Sequence, residues 1–361
     1  MNYTETEIDV IVADSFKELT YRQKKLLLAA HSDKNADKIK YSDQLIKMVG
    51  EGVYNKIREK FLSVEYRNGI MEGLASANVQ AVTVKSGYYP EQLKIIPVPP
   101  LVLYARGNVQ LLKTQLFAIV GSRKTAANVL SECKSFATEI SSKMTVVTGI
   151  ADGADSAAIT GALETGNIIC VLPGGHDNCG APNVRLLKRA EDKGLSISEY
   201  PPEMPAKPYM FVMRNRLIAA LSDGLLVVSA GEKSGALSSA NFAIEYSKLV
   251  FAFPYGIGVA TGKGCNDLIK RSALLCDSVK DVLDQFGFAE DYADGGAGFA
   301  DLSAEEREII EVLSEEGCLH AQKLADMLGK PLVDVLTTCS MLEINGIIVR
   351  SAVNTFTLIK N

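Results

Sequence analysis

Hydrophobic residues recur at helical intervals in the first part of the chain. One apolar stripe runs through Leu19, Leu26 and Leu27, and a second begins at Leu45. Residues three or four positions apart lie on one face of a helix, so this spacing predicts amphipathic helices that pack against each other. Residues 1–75 are therefore predicted to form a small helical N-terminal domain.

The pattern changes at residue 76, where short runs rich in valine and isoleucine alternate with segments of helical spacing. Continuous apolar runs are typical of strands buried on both faces, and intervening helices are typical of parallel connections. Residues 76–286 are therefore predicted to form one Rossmann-like α/β domain with a doubly wound, mainly parallel sheet. The predicted strands are residues 117–120, 145–148, 167–172, 195–198, 224–228 and 249–253.

The remainder of the chain has a third pattern. Residues 287–300 are rich in Gly, Ala and Asp without periodicity, which is typical of a flexible linker. Ser303 then precedes an acidic helical segment as an N-cap, and Pro331 begins another helix. Because two apolar runs follow as a hairpin, residues 301–361 are predicted to form a winged helix.

The composition is that of a globular protein, with 47% hydrophobic and 22% charged residues among 361. No apolar run approaches the ~20 residues that cross a bilayer, and the acidic start lacks a secretory signal's features. We therefore expect a cytoplasmic protein without membrane insertion. The cysteines have no CxxC or zinc spacing, so Cys170 and Cys276 are expected to be buried thiols. With three histidines in the chain, no metal site or cofactor is expected.

The net charge of −5 argues against a polyanion-binding protein until the charges are divided along the chain. Residues 1–75 are balanced, whereas residues 301–361 carry 5 Lys and Arg against 10 Asp and Glu. Residues 76–286 carry 21 Lys and Arg against 18 Asp and Glu. This mild excess favours a local anion pocket over a broad basic surface.

Gly121, Ser122, Arg123 and Lys124 follow the first predicted strand of the parallel set. Ligands of doubly wound sheets bind where strands end and helices begin. Glycine lets a phosphate approach the backbone, serine adds a hydroxyl donor, and arginine adds a charged fork. We therefore favour a phosphate-binding turn, and the alternative is an ordinary turn with two solvated cations.

Two further glycine turns follow the next two predicted strands. Gly149 permits a second close backbone approach. The nearby Asp155 accepts ligand hydrogen bonds or, as the alternative, Asp152 or Asp155 caps a helix. Gly174 belongs to a Pro-Gly-Gly turn, and His176 after it is interpreted as structural.

Arg214, Asn215 and Arg216 begin an apolar helical segment before the strand at 224–228. Two arginines beside an asparagine suit phosphates and base edges. The alternative, that the arginines are structural partners of carboxylates within the fold, is left open.

Lys207 and Phe211 enclose a segment in which a cation is interleaved with aromatic residues. Single-stranded nucleic acid sites combine cations with rings on which bases stack. Ser234 and Gly235 then form another glycine turn that opens a helix. No set of nucleophile, base and orienting group is evident, so no catalytic residue is proposed.

These segments, in this order, resemble the DNA-processing protein A family (DprA, also called Smf) between Tyr89 and Leu283. Each match is weak alone, whereas the ordered set is specific. The matching segments are YP at 89–90, PPLVLYARGN at 99–108, AIVGSRK at 118–124, VVTGIADGADSAAITGAL at 146–163, LPGGHD at 172–177, SEYPPE at 198–203, RNRLIAALS at 214–222, SGALSSA at 234–240 and GCNDLI at 264–269.

The resemblance implies a cytoplasmic bacterial protein that binds single-stranded DNA and helps to load the recombinase RecA during natural transformation. It also implies a homodimer and no established enzymatic activity. Residue by residue, it implies that Arg123 takes a DNA phosphate, that Lys207 binds DNA and that Phe211 contacts a base. Gly121 and Ser122 are implied to shape the same pocket.

Some positions depart from the family pattern. Where the family pattern has an arginine and a histidine, this chain has Asp152 and Ile159. Where the family has a Tyr-Pro pair, this chain has Gly180 and Ala181. An aspartate beside a phosphate pocket would weaken binding there, unless the family arginine is structural. The departures suggest a divergent member.

An enzymatic alternative rests on the Pro-Gly-Gly turn. Nucleotide phosphoribohydrolases of the lysine-decarboxylase-like group share this Rossmann variant, but their PGGxGTxxE pattern has no counterpart after Gly175. Release of free base from nucleoside monophosphates would support that alternative.

The predicted winged helix also has two interpretations. Its candidate recognition helix, residues 331–344, carries Asp334 and Glu343 as its charges, with Lys330 just outside. Proteins that recognise duplex DNA need cations on the recognition helix. We therefore expect this helix to contact protein or to mediate self-association rather than to bind duplex DNA.

Overall fold

The computed structural model describes residues 3–32, 37–288, 303–344, 347–352 and 354–358. The chain divides into two compact units, residues 1–288 and 289–361. The helices of the first unit are α1 (Glu5–Ser15), α2 (Tyr21–His31), α3 (Lys38–Val49), α4 (Glu51–Leu62), α5 (Val64–Ser76), α6 (Glu91–Lys94), α7 (Ala127–Lys143), α8 (Ala154–Ala162), α9 (Val184–Lys193), α10 (Pro208–Leu221), α11 (Ala236–Glu245), α12 (Lys263–Lys270) and α13 (Val279–Leu283). Its strands are β1 (Gln80–Thr83), β2 (Val102–Gly107), β3 (Leu116–Gly121), β4 (Thr145–Thr148), β5 (Ile168–Leu172), β6 (Leu195–Ser198), β7 (Gly224–Ser229), β8 (Leu249–Ala252) and β9 (Leu274–Leu275).

The N-terminal helices confirm the helical prediction for that segment. Thr4 and Thr20 cap α1 and α2, each accepting a backbone hydrogen bond from the third helical residue. Gly50 joins α3 to α4 at a φ of 85°, a conformation that glycine adopts without strain. The Tyr104 hydroxyl donates to Asp14 Oδ2 at 3.0 Å and so links these helices to the sheet. The boundary at residues 75 and 76 stays a prediction.

The nine strands form one sheet in the order β1-β2-β6-β5-β4-β3-β7-β8-β9. The seven strands from β6 to β9 in this order are parallel, which confirms the predicted mainly parallel α/β fold. Each of the six strands predicted from the apolar runs is present. Their carboxyl ends meet at one edge of the sheet, hereafter the carboxyl edge, where the glycine turns lie.

Sequence pattern did not reveal β1, β2 and β9. β2 pairs antiparallel with β6, and β1 pairs antiparallel with β2. β1 therefore runs in the direction of the parallel strands, and its last residue, Thr83, also lies at the carboxyl edge. The segment between β1 and β2 begins and ends at that edge.

The second unit contains α14 (Ala304–Glu316), α15 (Ala321–Leu328) and α16 (Leu332–Ile344), with an antiparallel sheet of order β10-β12-β11. Its strands are β10 (Leu319–His320), β11 (Ile348–Ala352) and β12 (Thr355–Leu358). The predicted cap is confirmed, because the Glu306 N–H donates to the Ser303 hydroxyl at 3.2 Å. The predicted hairpin is present as β11 and β12. The winged-helix assignment stays a prediction, and the predicted linker from residue 289 lies outside the described residues.

The cysteines are free thiols, and Cys170 and Cys276 are fully buried as expected. Burial raises the pKa of both thiols above their ordinary value. Within the described residues, no helix combines the length and the apolarity needed to span a bilayer.

Candidate nucleic-acid interface

A pocket of about 630 Å³ opens at the carboxyl edge beside β3 and β7. It brings together nine of the thirteen residues that the sequence indicated as nucleic-acid contacts. They come from three stretches that are far apart in the chain: the turn after β3, the first half of α10 and the loop before α11. The nine are Gly121, Ser122, Arg123, Lys124, Phe211, Arg214, Asn215, Ser234 and Gly235.

The turn after β3 is tightly packed, which explains its glycine. A Cβ at Gly121 would lie 2.6 Å from the Cβ of Ala154 and 2.7 Å from a methyl of Val228. The Ser122 N–H donates to the Ser229 carbonyl at 2.9 Å, and the Ser122 hydroxyl accepts from the Lys124 N–H at 3.1 Å. Glycine is required here for packing, and the serine hydroxyl closes the turn while it faces the pocket.

Arg123 and Phe211 meet at the pocket. The guanidinium carbon of Arg123 lies 5.4 Å from the centroid of the Phe211 ring, within the range of a cation–π contact. Arg123 is exposed, and within the described part of the chain its guanidinium forms no ion pair. The ring therefore orients the guanidinium while leaving its N–H groups available to an anion.

Arg214 and Asp155 lie deeper in the same pocket. Both lie so close to Gly149 that a Cβ there would overlap the arginine guanidinium and the aspartate carboxylate. Arg214 donates to the Val171 carbonyl at 3.1 Å, whereas its buried Nε has no partner. Burial raises the pKa of the Asp155 carboxyl above its ordinary value, and the Arg214 guanidinium opposes that rise. The lack of a side chain at Gly149 therefore leaves room for this pair, and Gly149 itself does not line the pocket.

Arg216 points to a different partner. It donates from Nη2 to both Glu199 oxygens at 2.5 Å and from Nη1 to the Val98 carbonyl at 3.0 Å. It does not line the pocket, so its geometry supports the structural alternative. Asn215 lines the pocket, but its amide N–H groups donate to the Gly235 carbonyl and the Ser238 hydroxyl.

Gly174 and Lys207 lie outside the pocket wall. A Cβ at Gly174 would come within 2.8 Å of the Ala206 backbone, so the Pro-Gly-Gly turn packs against the segment that leads into α10. The Gly175 N–H donates to the Met204 carbonyl at 2.7 Å and fastens that segment. Lys207 is exposed immediately before α10, one helical turn from Phe211.

The departures from the family pattern lie in different environments. Asp152 is exposed in the turn before α8 and is not part of the pocket lining, whereas Ile159 is buried in α8. Sequence reasoning missed Lys233, an exposed cation that lines the pocket beside Ser234. Its position in the loop between β7 and α11, next to Ser234, was the signal that could have identified it. The described residues contain no group of three or more His, Cys, Asp or Glu side chains suited to a metal ion.

His176 is buried next to the Pro-Gly-Gly turn, which agrees with its structural interpretation. Burial, together with the charge of the nearby Arg106, lowers the pKa of His176 to about 4. In the unfolded chain the imidazole takes up this proton at about pH 6.5. The contribution of the neutral imidazole to the unfolding free energy is therefore full above that pH and is lost as the pH falls through about 4.

The His176→Gln substitution should remove this pH dependence. The full loss in the wild type amounts to roughly 3 kcal/mol of unfolding free energy, because each pKa unit corresponds to about 1.4 kcal/mol. Urea unfolding at several pH values should show the stability difference between wild type and variant changing by this amount between about pH 6.5 and about pH 4. A difference that does not vary with pH would contradict the buried neutral imidazole.

Comparison with known proteins identifies relatives of this chain. The sequence model of the family described as DNA recombination-mediator protein A matches residues 80–287. Protein Smf of Escherichia coli is 30% identical over 288 residues, covering 76% of each chain. DNA processing protein DprA of Streptococcus pneumoniae is 36% identical over 203 residues, covering 55% of this chain and 72% of the relative.

Two solved structures share the fold at 28% sequence identity. The crystal structure of DNA processing protein A from Streptococcus pneumoniae superposes with a TM-score of 0.60, covering 79% of this chain and 99% of that one. DNA processing protein A from Helicobacter pylori, a structure described for its single-stranded DNA binding mode, superposes with a TM-score of 0.54. That match covers 60% of this chain and 99% of the other.

Proposed function

Because this chain belongs to the DNA recombination-mediator protein A family, we propose that it binds single-stranded DNA in the pocket at the carboxyl edge. The role proposed for it is DNA processing during natural transformation. The observation that carries the proposal is the placement of Arg123 over Phe211 beside the glycine turn at Gly121.

The pocket combines the two contacts that a single strand needs. The exposed guanidinium of Arg123 suits a phosphate, and the aromatic ring of Phe211 suits the face of a base. Lys124 and Lys233 add two exposed cations to the same lining. These groups recognise features that all nucleotides share.

The pocket also offers few groups that could distinguish one base from another. Asn215 is the residue best suited to reading a base edge, but its amide N–H groups are already bonded to Gly235 and Ser238. We therefore propose binding that depends on the backbone and on stacking, with little discrimination among sequences.

The second unit is proposed to contact protein rather than duplex DNA. Lys330 donates to Glu308 at 2.5 Å, and Arg350 donates to Glu343 at 3.2 Å, so both cations beside α16 are paired. Val333 on the same helix is 72% exposed. Cations that are already paired attract a polyanion weakly, so a protein partner is favoured over duplex DNA.

We propose that the protein lies in the cytoplasm, forms a homodimer and hands its DNA to RecA, protecting the strand until the transfer. A dimer would place two modest pockets on one strand, which raises the affinity by effective concentration.

A gel-shift comparison tests this function. The full-length protein should retard a single-stranded oligonucleotide at a concentration at least about tenfold lower than a duplex of the same sequence, and RecA should assemble faster on the protein-bound strand. The reason is that the stacking surface can reach only unpaired bases. Equal or tighter binding of the duplex would contradict both the proposed site and the proposed role of the second unit.

A further inference from the structure

A second recess lies at the carboxyl edge, where the N-terminal helices meet the sheet. It has a volume of about 600 Å³ and lies between α2 and the segment that joins β1 to β2. Tyr21, Lys25, Lys85 and Lys94 line it together with aliphatic residues. The pocket around Arg123 shares no lining residue with it.

The polar lining of the recess has one sign of charge. Three lysines contribute to it, and no acidic side chain does among the described residues. The Lys25 ammonium lies 5.6 Å from the centroid of the Tyr21 ring, and Lys94 donates to Glu91 at 2.7 Å. Lys85 is exposed, and its ammonium forms no ion pair within the described part of the chain. The recess therefore suits an anion that also carries an apolar or aromatic group.

The sheet places this recess in line with the first pocket. Lys85 follows the end of β1, and Gly121 ends β3, so both positions lie at the same edge. The sheet order separates β1 from β3 by five strand spacings, or roughly 24 Å at about 4.8 Å each. A single strand that leaves the first pocket can reach the recess without crossing a face of the sheet.

We propose that the recess is a second contact for the same single strand of DNA. Lys25 and Lys85 take backbone phosphates, and the Tyr21 ring offers a surface to a base. This inference rests on the proposed function, because it assigns a further stretch of the ligand that Arg123 and Phe211 bind. The occupant is a polynucleotide because a cationic rim around an aromatic ring is the combination that single-stranded sites use.

The test removes at once the two lysines assigned to phosphates, in the variant Lys25→Ala/Lys85→Ala of the full-length chain. Binding is measured by fluorescence anisotropy with labelled oligothymidines of roughly 20 and about 4 nucleotides, which bracket the ~4–16 nucleotides of a typical site. Affinity for the long strand should fall about 10- to 25-fold near 0.1 M salt. The salt slope should decrease by about 1.4, because each neutralised phosphate on a single strand contributes about 0.7. Affinity for the short strand should change less than about twofold.

Two control proteins accompany the variant. Lys25→Arg/Lys85→Arg keeps both charges and should bind the long strand as the wild type does. Lys143→Ala removes an exposed cation just before β4, at the opposite edge of the sheet, and should also bind normally. An unchanged affinity of the double alanine variant for the long strand would overturn the inference, as would equal losses for both strand lengths.

The outcomes separate this inference from the function on which it rests. If the double alanine variant weakens long-strand binding while Arg123→Ala does not, the second contact stands and the first pocket is wrongly assigned. If Arg123→Ala weakens binding of both strands and the double variant weakens neither, the first pocket stands and the second contact is wrong.

Discussion

Replacing Arg123 with alanine is expected to lower the affinity for single-stranded DNA by about 10- to 100-fold. A charge-assisted hydrogen bond contributes roughly 1.5–3 kcal/mol, and a tenfold change corresponds to about 1.4 kcal/mol. The variant also removes the cation that lies 5.4 Å from the Phe211 ring, so the contact between the two side chains is lost. Affinity is measured by anisotropy across a salt titration.

The salt dependence identifies the contact as electrostatic. Loss of one phosphate contact should reduce the slope of log affinity against log salt by about 0.7. Arg123→Lys should bind with intermediate affinity, because it keeps the charge but loses the planar fork. Arg271→Ala is the matched control, since Arg271 is exposed just before β9, at the amino end of the parallel strands. A variant that matches the wild type across the whole titration would show that Arg123 takes no phosphate.

Glu199→Gln is expected to destabilise the first unit by roughly 3 kcal/mol, within the ~3–5 kcal/mol cost of leaving a buried charge unpaired. The reason is the position of Arg216, whose side chain is 8% exposed and bonded to both Glu199 oxygens. The Arg216→Met substitution should cost a similar amount, because it leaves the carboxylate without its partner. Chemical denaturation reports both changes.

A double-mutant cycle tests whether the two residues act as a pair. The double variant Glu199→Gln/Arg216→Met should lose less stability than the sum of the single variants, because neither charge is then left unpaired. Additive losses would contradict the ion pair. Under conditions where Arg216→Met remains folded, its salt slope for DNA should equal that of the wild type, which separates a structural arginine from a phosphate ligand.

Much of the candidate site could be predicted from the sequence. Each glycine turn follows an apolar strand, and parallel strands deliver their carboxyl ends to one edge, so the turns at Gly121 and Ser234 had to converge. The interleaved segment around Phe211 belonged to the same edge because it opens the helix before β7. Nine of the thirteen candidate residues line one pocket for this reason.

The roles of the two arginines could not be separated in the same way. Arg214 and Arg216 are two positions apart and so project from different sides of α10. One guanidinium lies beside Asp155 in the pocket, and the other is bonded to Glu199. The partners come from other strands and helices, and no local pattern names a partner distant in the chain.

The sequence by itself determined the strand runs, the mainly parallel character of the sheet and the glycine turns, because periodicity and turn chemistry are local properties of the chain. Tertiary structure decided which cations remain available. Arg123 lies exposed over the Phe211 ring, whereas Arg216 forms a buried ion pair with Glu199. Lys25 and Lys85 come from separate elements and line the same recess. The physical reason is that a cation is paired within the protein or remains available to a ligand according to its neighbours in space, and those neighbours are brought together only by the fold.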